Sequence, residues 1–460
     1  MLHTPSRWAG MLWRLYAGVG IALCLSGALA RGLSVTRAEV EAIPPEERTG
    51  PDSFRQQWLV IQSGSDVGHV QELVLGTSCD VHVQYMVNTG CATCVATVQF
   101  LGSNRSLLNR YLVTSRDAEL SIQGSESDLH MEVVVHRAAS LSSVTLQSSS
   151  EVVFRDSVLV DDNSSASVSV QVTGNGKIYL PEDATYNVGQ FITKVAGPGT
   201  VSITGKQINA DSVDIQVQGN GSVCVATQGL QVKRRTTVQE TSSGSISVDV
   251  SHFETDSLVA SVQGSGGVSF TQPGRCNSAN VATMGSGTVH IGPVSCANAE
   301  VAVYGSGNAV VRSLRSLYGN ILGSGNIWYE GDKPQSVTGE RVSLSSGERA
   351  IAIAYQGNPP IRPCLIPPHR PRQENQVVLR PDDQSPSNAE ASGNIPSSTP
   401  ETFSPPPPTS SITGRVHWVV LALLVGAVTF ALYEFQSWRH RHRDPNEHSP
   451  LLGNDAPVYI

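Results

Sequence analysis

The chain has 460 residues, a formal net charge of −8 and only 15% charged residues. This composition excludes a basic surface for nucleic acid. The length is ample for one large core or two smaller ones.

Residues 1–30 carry the marks of a secretory signal peptide. Arg7 and Arg14 give a positive flank, an apolar stretch runs from Leu15 to Leu29, and Ala28-Leu29-Ala30 is a small-x-small cleavage site. The apolar run is short for a membrane span. Residues 31–53 hold Pro44-Pro45, scattered charges and little apolar periodicity, which suggests a linker.

From Phe54 onward the pattern changes to short runs of alternating apolar and polar residues. Examples are Glu132–His136, Ser167–Val172, Val213–Val217 and Ser245–Val250. Period-two runs of β-branched residues separated by Gly, Ser and Asn predict strands. No long helical pattern occurs between Phe54 and Tyr355.

A short phrase then recurs. Gly-Ser-Gly stands at Gly264/Gly266, Gly285/Gly287, Gly305/Gly307 and Gly323/Gly325, in steps of 21, 20 and 18 residues. Weaker copies lie at Gly174/Gly176, Gly197/Gly199 and Gly219/Gly221. A period near 20 with strands on both sides of each pair predicts a stacked β-solenoid. Both glycines of each pair are expected at the corners. These need backbone angles that a Cβ resists, and coils stacked ~4.8 Å apart crowd them further. The expected fold class is all-β, a β-solenoid (β-helix) with repeats of about 20 residues, plus one C-terminal transmembrane helix. Residues 213–355 form its regular part and 54–212 an irregular part, because Gln123–Glu126 and Gln147–Ser150 stand where a Gly pair is expected.

The phrases QVQGNGSVCV, SVQGSGGVSF, ATMGSGTVHI and AVYGSGNAVV resemble the repeats of the head GIN domain of auto-transporter adhesins. The stretch Gly323–Pro334 is similar to the way such domains close. The resemblance covers roughly 55–350, is strongest over 213–334, and implies a β-helical domain.

Residues 356–414 are rich in Pro, Ser and Thr, with Pro405–Pro408 as the densest run, and predict a disordered, O-glycosylated stalk. Residues 416–435 are apolar over the length that crosses a ~30 Å hydrocarbon core. Trp418, Tyr433 and Trp438 suit the interfaces, and Arg439–Arg443 marks the cytoplasmic side. The expected topology is single-pass type I through the secretory pathway, with a cytoplasmic tail at 436–460. In that tail Glu447, Leu451 and Leu452 fit an acidic dileucine sorting signal for clathrin adaptors, directing the protein to the cell surface, endosomes or lysosomes.

Removal of the signal leaves seven cysteines. In an oxidising compartment disulfides are expected. Cys276 and Cys296 lie one repeat apart, so stacking brings them within bonding reach. One pair among Cys79, Cys91 and Cys94 is expected to bridge, and Cys91-Ala-Thr-Cys94 is better explained by a local disulfide than by a redox or metal motif. The odd count leaves one thiol, assigned to Cys364 as free or intermolecular. Asn104, Asn163 and Asn220 head N-glycosylation sequons.

No catalytic, metal or cofactor site is expected. Asp161-Asp162 and Glu182-Asp183 are the acidic pairs of the strand region, without a basic partner at coil spacing. The Gly pairs lack the Asp of calcium-binding solenoids and the helix of a nucleotide site. His69, His82, His130, His136 and His290 are scattered. The sequence therefore favours a non-enzymatic membrane glycoprotein that adheres to, or binds, a glycan or matrix ligand. A glycan-active β-helix enzyme, a polysaccharide lyase or hydrolase, is the alternative, as is a structural coat protein of an endolysosomal or surface membrane.

Overall fold

A computed structural model describes residues 32–48, 51–63, 68–87, 91, 93–155, 158–342 and 351–355. The chain divides into two units, 1–383 and 384–460, and every described residue belongs to the first. The expected signal peptide, the stalk beyond 355, the 416–435 span, Cys364 and the tail residues Glu447, Leu451 and Leu452 lie outside the described residues. Among the described residues no helix is long and apolar enough to cross a membrane.

The described chain is a β-solenoid of about nine turns with almost no helix. Its helical pieces are one turn at Arg105–Leu108 and a 3₁₀ turn at Pro45–Glu47. Each regular turn has three straight segments. In the turn that follows Ala210 they are 212–219 (the A face), 222–227 (the B face) and 229–232 (the C face). All three pair in parallel register with the turns on either side. Registers shift only at the corners, as between Val232 and Arg235.

The alternation of each strand fixes what it buries. On the A face the inward column runs Val172, Val195, Val217, Glu240, Val262, Thr283, Val303. On the B face Val201, Val223, Ile246, Val268, Val289 and Ala309 stack in the same way, each no more than 2% exposed. The C face adds Ile208, Leu230 and Phe253. The core is thus a narrow column of β-branched side chains, continuous because parallel register puts like on like.

The expectation that both glycines of a pair make the corner is corrected by their backbone angles. Only the first, at Gly197, Gly219, Gly264, Gly285, Gly305 and Gly323, turns the chain, with φ between +107° and +130°. The second lies outside that left-handed region and is needed for space alone. Gly176, Gly199, Gly221, Gly287, Gly307 and Gly325 are all buried, pressed onto the coil below. A Cβ on Gly199 would lie 2.7 Å from the Gly174 carbonyl oxygen, one on Gly221 2.5 Å from that of Gly199, and one on Gly287 2.6 Å from that of Gly266. A Cβ on Gly325 would collide with the Gly307 carbonyl oxygen and with Val303 in the core. At Gly174, too, only the close approach applies, 2.6 Å from the Ser148 carbonyl. One corner has no Gly-x-Gly at all. Ser242-Ser243-Gly244 completes the turn between Gly219 and Gly264, and Ser242 takes φ +114°. The signal for it was the double step of 45 residues between those glycines.

The N-terminal half differs from expectation in detail. Residues 31–53, expected as a linker, contain the strand Gly32–Arg37, paired antiparallel with Phe54–Ser63, and Ile43 is buried. The alternation Leu33-Ser-Val-Thr36 is the cause, and it is too short to stand out beside the prolines. Phe54–Ser63, Cys94–Gly102 and Leu129–Val135 then form an antiparallel cap. Beyond it Asp80–Tyr85 stacks between Leu129–Val135 and Glu151–Phe154, out of chain order. The boundary expected near 212 falls inside the strand Thr200–Gly219. In place of glycine, the early corners use hydroxyls: Thr77 Oγ1 and Ser150 Oγ are 2.8 Å apart and buried.

Two measurements test this account. Gly305→Ala adds a Cβ 2.6 Å from the Gly285 carbonyl oxygen at φ +114°, and a loss of about 1–3 kcal/mol is expected in urea unfolding. Gly267→Ala, whose Cβ meets nothing nearer than 3.6 Å, should change little; equal losses would refute the corner argument. The second test concerns Glu240, fully buried in a valine column with its Oε1 accepting from the Gly244 N–H at 2.7 Å. Burial raises its carboxyl to about 7 from 4.5. The folded carboxyl therefore holds its proton longer than the unfolded one, so this stability is complete below about pH 4.5 and lost as pH rises to 7. The loss is roughly 3 kcal/mol. Thermal melts from pH 4.5 to 8 should show that decline, and Glu240→Gln should flatten it; parallel curves for the two proteins would refute it.

Candidate binding surface

Three surfaces could present chemistry. The outward side of the A face is a flat grid with three positions per turn. Over the last full turns it carries Asn280, Ala282 and Met284, then Glu300, Ala302 and Tyr304, then Tyr318, Asn320 and Leu322. Met284, Tyr304 and Leu322 stack in one column, and Tyr318 stands beside them over Glu300. Met284 and both tyrosines are 42% exposed and Leu322 53%. Upstream the same column is polar, with Gln218, Thr241 and Gln263. The apolar patch is therefore confined to the C-terminal turns.

The C face of three adjacent turns forms an open groove of about 550 Å³. Gln231, Glu254 and Arg275 run along it, with Lys233, Asp256 and Asn277 at its rim. At the rim Lys233 lies 3.1 Å from Asp211, and the Asn277 amide donates to Asp256 at 3.3 Å. Such exposed pairs stabilise little. Upstream the row continues as an amide ladder, in which Asn209 Nδ2 donates to Asn187 Oδ1 at 2.6 Å. Cys276 and Cys296 bridge adjacent turns here, with Cα atoms 4.4 Å apart.

The B face is different. Its outward column Ser202, Cys224, Ser247, Ser269, His290 and Val310 is buried except at Ser269, which is half-buried. His290 lies 3.8 Å from Glu330 Oε2 and is held below the usual histidine range by burial. His136, in contrast, sits between Thr97 Oγ1 at 2.9 Å and the Met86 carbonyl at 3.1 Å.

The remaining candidates fall as follows. Cys91 and Cys94 form a disulfide, and Cys79 stays a buried thiol whose pKa burial raises. Cys224, not among the expected pairs, is also disulfide-bonded. Asn104 and Asn163 are exposed, and each accepts from the backbone N–H of the serine two residues on, at 3.0 and 3.1 Å. Asn220 is exposed at a corner tip and accepts from Ser243 Oγ at 2.6 Å. Asp183 pairs with Lys206 at 3.3 Å in the open, and Asp161 and Asp162 line a shallow depression with His69 and Arg137. Among the described residues no group of three or more His, Cys, Asp or Glu side chains could hold a metal ion. Asp214, raised by burial, accepts from Gln216 at 2.8 Å on the outward A face, and Glu240 is sealed in the core. These two shifted carboxyls do not share a cleft.

The outward residues escape sequence reading for one reason. Alternation tells inside from outside, but it does not say which of three faces an outward residue joins.

Residues 230–332 match the family model described as "Putative auto-transporter adhesin, head GIN domain". No curated protein matches the chain. Among solved structures, a "putative adhesin" from Parabacteroides merdae is 11% identical over 70% of this chain and 96% of its own, with a TM-score of 0.33. Another from Parabacteroides distasonis is 13% identical over 70% and 96%, with a TM-score of 0.32. A "putative lipid binding protein" from the same organism is 16% identical over 65% and 96%, with a TM-score of 0.31. At these scores the likenesses carry no argument, and what remains is that the stretch 230–332 is similar to the head GIN domain described by the family model.

Proposed function

We propose that this protein is an adhesin-like receptor that binds an oligosaccharide on the A face of its C-terminal turns. The observation that carries the reading is the exposed patch of Met284, Tyr304, Tyr318 and Leu322 beside Asn280, Glu300 and Asn320. Aromatic rings offer apolar faces to sugar C–H groups, and the neighbouring amides and carboxylate can bond hydroxyls. Size favours a small ligand. Three turns at ~4.8 Å and five residues at ~3.3 Å give on the order of 200 Å². That is about a quarter of the ~800 Å² per partner of a stable protein interface.

The placement of sequons supports binding over a coat role. All three precede residue 223, so the turns of the head GIN stretch beyond it carry none. A protective coat would gain most from glycans along its whole length, whereas a binding surface needs bare turns. The rest of the reading is a type I glycoprotein, held to its membrane by 416–435 and sorted by Glu447, Leu451 and Leu452 to the endosome–lysosome route through clathrin adaptors.

On a glycan array the secreted ectodomain should bind a defined class of oligosaccharides. Tyr304→Ala and Tyr318→Ala should each weaken that binding about tenfold or more, with folding unchanged by circular dichroism. Failure to bind any sugar would count against the proposal, as would full retention in both variants. For the tail, Leu451→Ala with Leu452→Ala should shift the protein from endosomes to the cell surface. An unchanged distribution would remove the sorting claim.

A further inference from the structure

The exposed patch of the A face is a trough with walls and a floor. Asn280, Glu300 and Tyr318 stack in one wall, and Met284, Tyr304 and Leu322 in the other. Between them runs the column Ser261, Ala282 and Ala302. These small side chains are half-buried, while all six residues of the walls are exposed. Gln239 ends the floor upstream and Asn320 downstream. The walls stand four residues apart along each strand, about 13 Å, and Gln239 lies four strand spacings from Asn320, about 19 Å. A slot of this form takes one sugar chain lying along the stack.

The trough is negative. Between Ser257 and Glu340 the outward positions of the A face hold two carboxylates, Glu300 and Glu340, and no lysine or arginine. Glu300 stands in a wall, and Glu340 follows Asn320 in the middle column. Among the described residues neither is ion-paired. Neighbouring cations belong to other positions. Arg341 is inward and donates to the Gly325 carbonyl at 3.2 Å, and Arg315 stands at the corner between the C and A faces. Upstream the A face does carry cations, at Lys194 and Arg235. The C-face groove likewise sets Lys233 and Arg275 against Glu254 and Asp256. Only the apolar trough has charge of a single sign.

We infer that the trough selects an oligosaccharide bearing free, protonated amino groups, and that Glu300 sets this specificity. The inference rests on the oligosaccharide reading of the A face. An ammonium group at Glu300 gains a charge-assisted hydrogen bond. Tyr318, paired with Glu300 on the next turn, offers its ring face to the same cation. The apolar faces of the sugars then lie against Met284 and Tyr304, and their hydroxyls meet Asn280 and Asn320. Acetylation of the amine removes the attraction, and a sulfated or carboxylated sugar is repelled. A lysine-rich peptide has the right charge but lacks a backbone partner, because every strand under the trough is already paired on both sides.

Binding of the full-length protein to three oligomers of equal length, of glucosamine, N-acetylglucosamine and N-sulfated glucosamine, tests this. The glucosamine oligomer should bind most tightly, and more weakly as salt rises. Glu300→Gln, an exposed substitution, should weaken that oligomer about fivefold and leave the acetylated one unchanged. Tyr304→Ala should weaken both alike, which separates the charge from the stacking surface. Equal or tighter binding of the acetylated or sulfated oligomer would overturn the inference and leave the oligosaccharide reading standing. So would an amine preference that survives in Glu300→Gln. Tighter binding of an oligolysine of equal charge would overturn it in favour of a protein partner. If none of the three oligomers binds, the inference fails, and the glycan array decides separately whether the broader reading fails with it.

Discussion

Everything in this molecule depends on how near one turn's backbone can come to the next at the corner between the A and B faces. Parallel strands stack at one spacing, and a chain that turns sharply must keep it through the turn as well as along the straight segments. The carbonyl of each corner points at the corner above: the Gly285 N–H and C=O groups lie under Gly305, and those of Gly264 under Gly285. Glycine lets the hydrogen bonds run through these corners, as from the Gly307 N–H to the Gly285 carbonyl at 2.8 Å, and at the serine corner they continue from the Ser265 N–H to the Ser242 carbonyl at 2.7 Å. With the corners fixed, register is fixed, and the columns of valine and isoleucine follow from it.

The turn containing Ser242 shows what happens when that rule is relaxed. Serine adopts the left-handed angle that glycine takes elsewhere. Two residues earlier the inward valine is replaced by Glu240, whose carboxyl accepts from the N–H of Gly244 at this same corner. The substitutions belong together: a polar group inside binds backbone at the corner that carries the strained residue. Among the described residues Glu240 Oε2 has no partner, so the arrangement suits a neutral acid better than a carboxylate. The solenoid is therefore most sensitive to a rise in pH from the acidic range towards 7 at one identifiable turn near its middle.

Much of the architecture was legible because it repeats. Strand positions follow from period-two alternation, and the corners from glycines at a step near 20; both are local signals repeated often enough to be unambiguous. Pairing of Cys276 with Cys296 was readable for the same reason, since one period in sequence is one turn in space. The division of labour within a glycine pair was not readable, because a residue chosen for its angle and one chosen for its small size are spelled alike. Also hidden is what does not repeat. The hydroxyl corners at Thr77 and Ser150, the serine corner at 242, and the strand at 32–37 each replace a recognisable residue by another way of meeting the same geometric demand. The A-face patch was hidden for a different reason. Met284, Tyr304 and Leu322 each precede a Gly-Ser-Gly, so one period again means one turn and their stacking could be read, but each alone is an ordinary outward residue and nothing local marks the column's change from polar to apolar.

The stack is not laid down in chain order at its N-terminal end. Residues 72–85 lie between turns made by 119–135 and 143–154, so these strands gain their first stacked partner only when the chain has reached residue 119 and their second only when it has reached residue 143. From Thr185 on, each turn meets the one just completed. A chain made N-terminus first thus exposes unpaired edges early and closes them late. The C-terminal turns can zip by nearest-neighbour steps alone. Assembly speed is consequently governed by the long loop at the N-terminal cap rather than by the number of repeats.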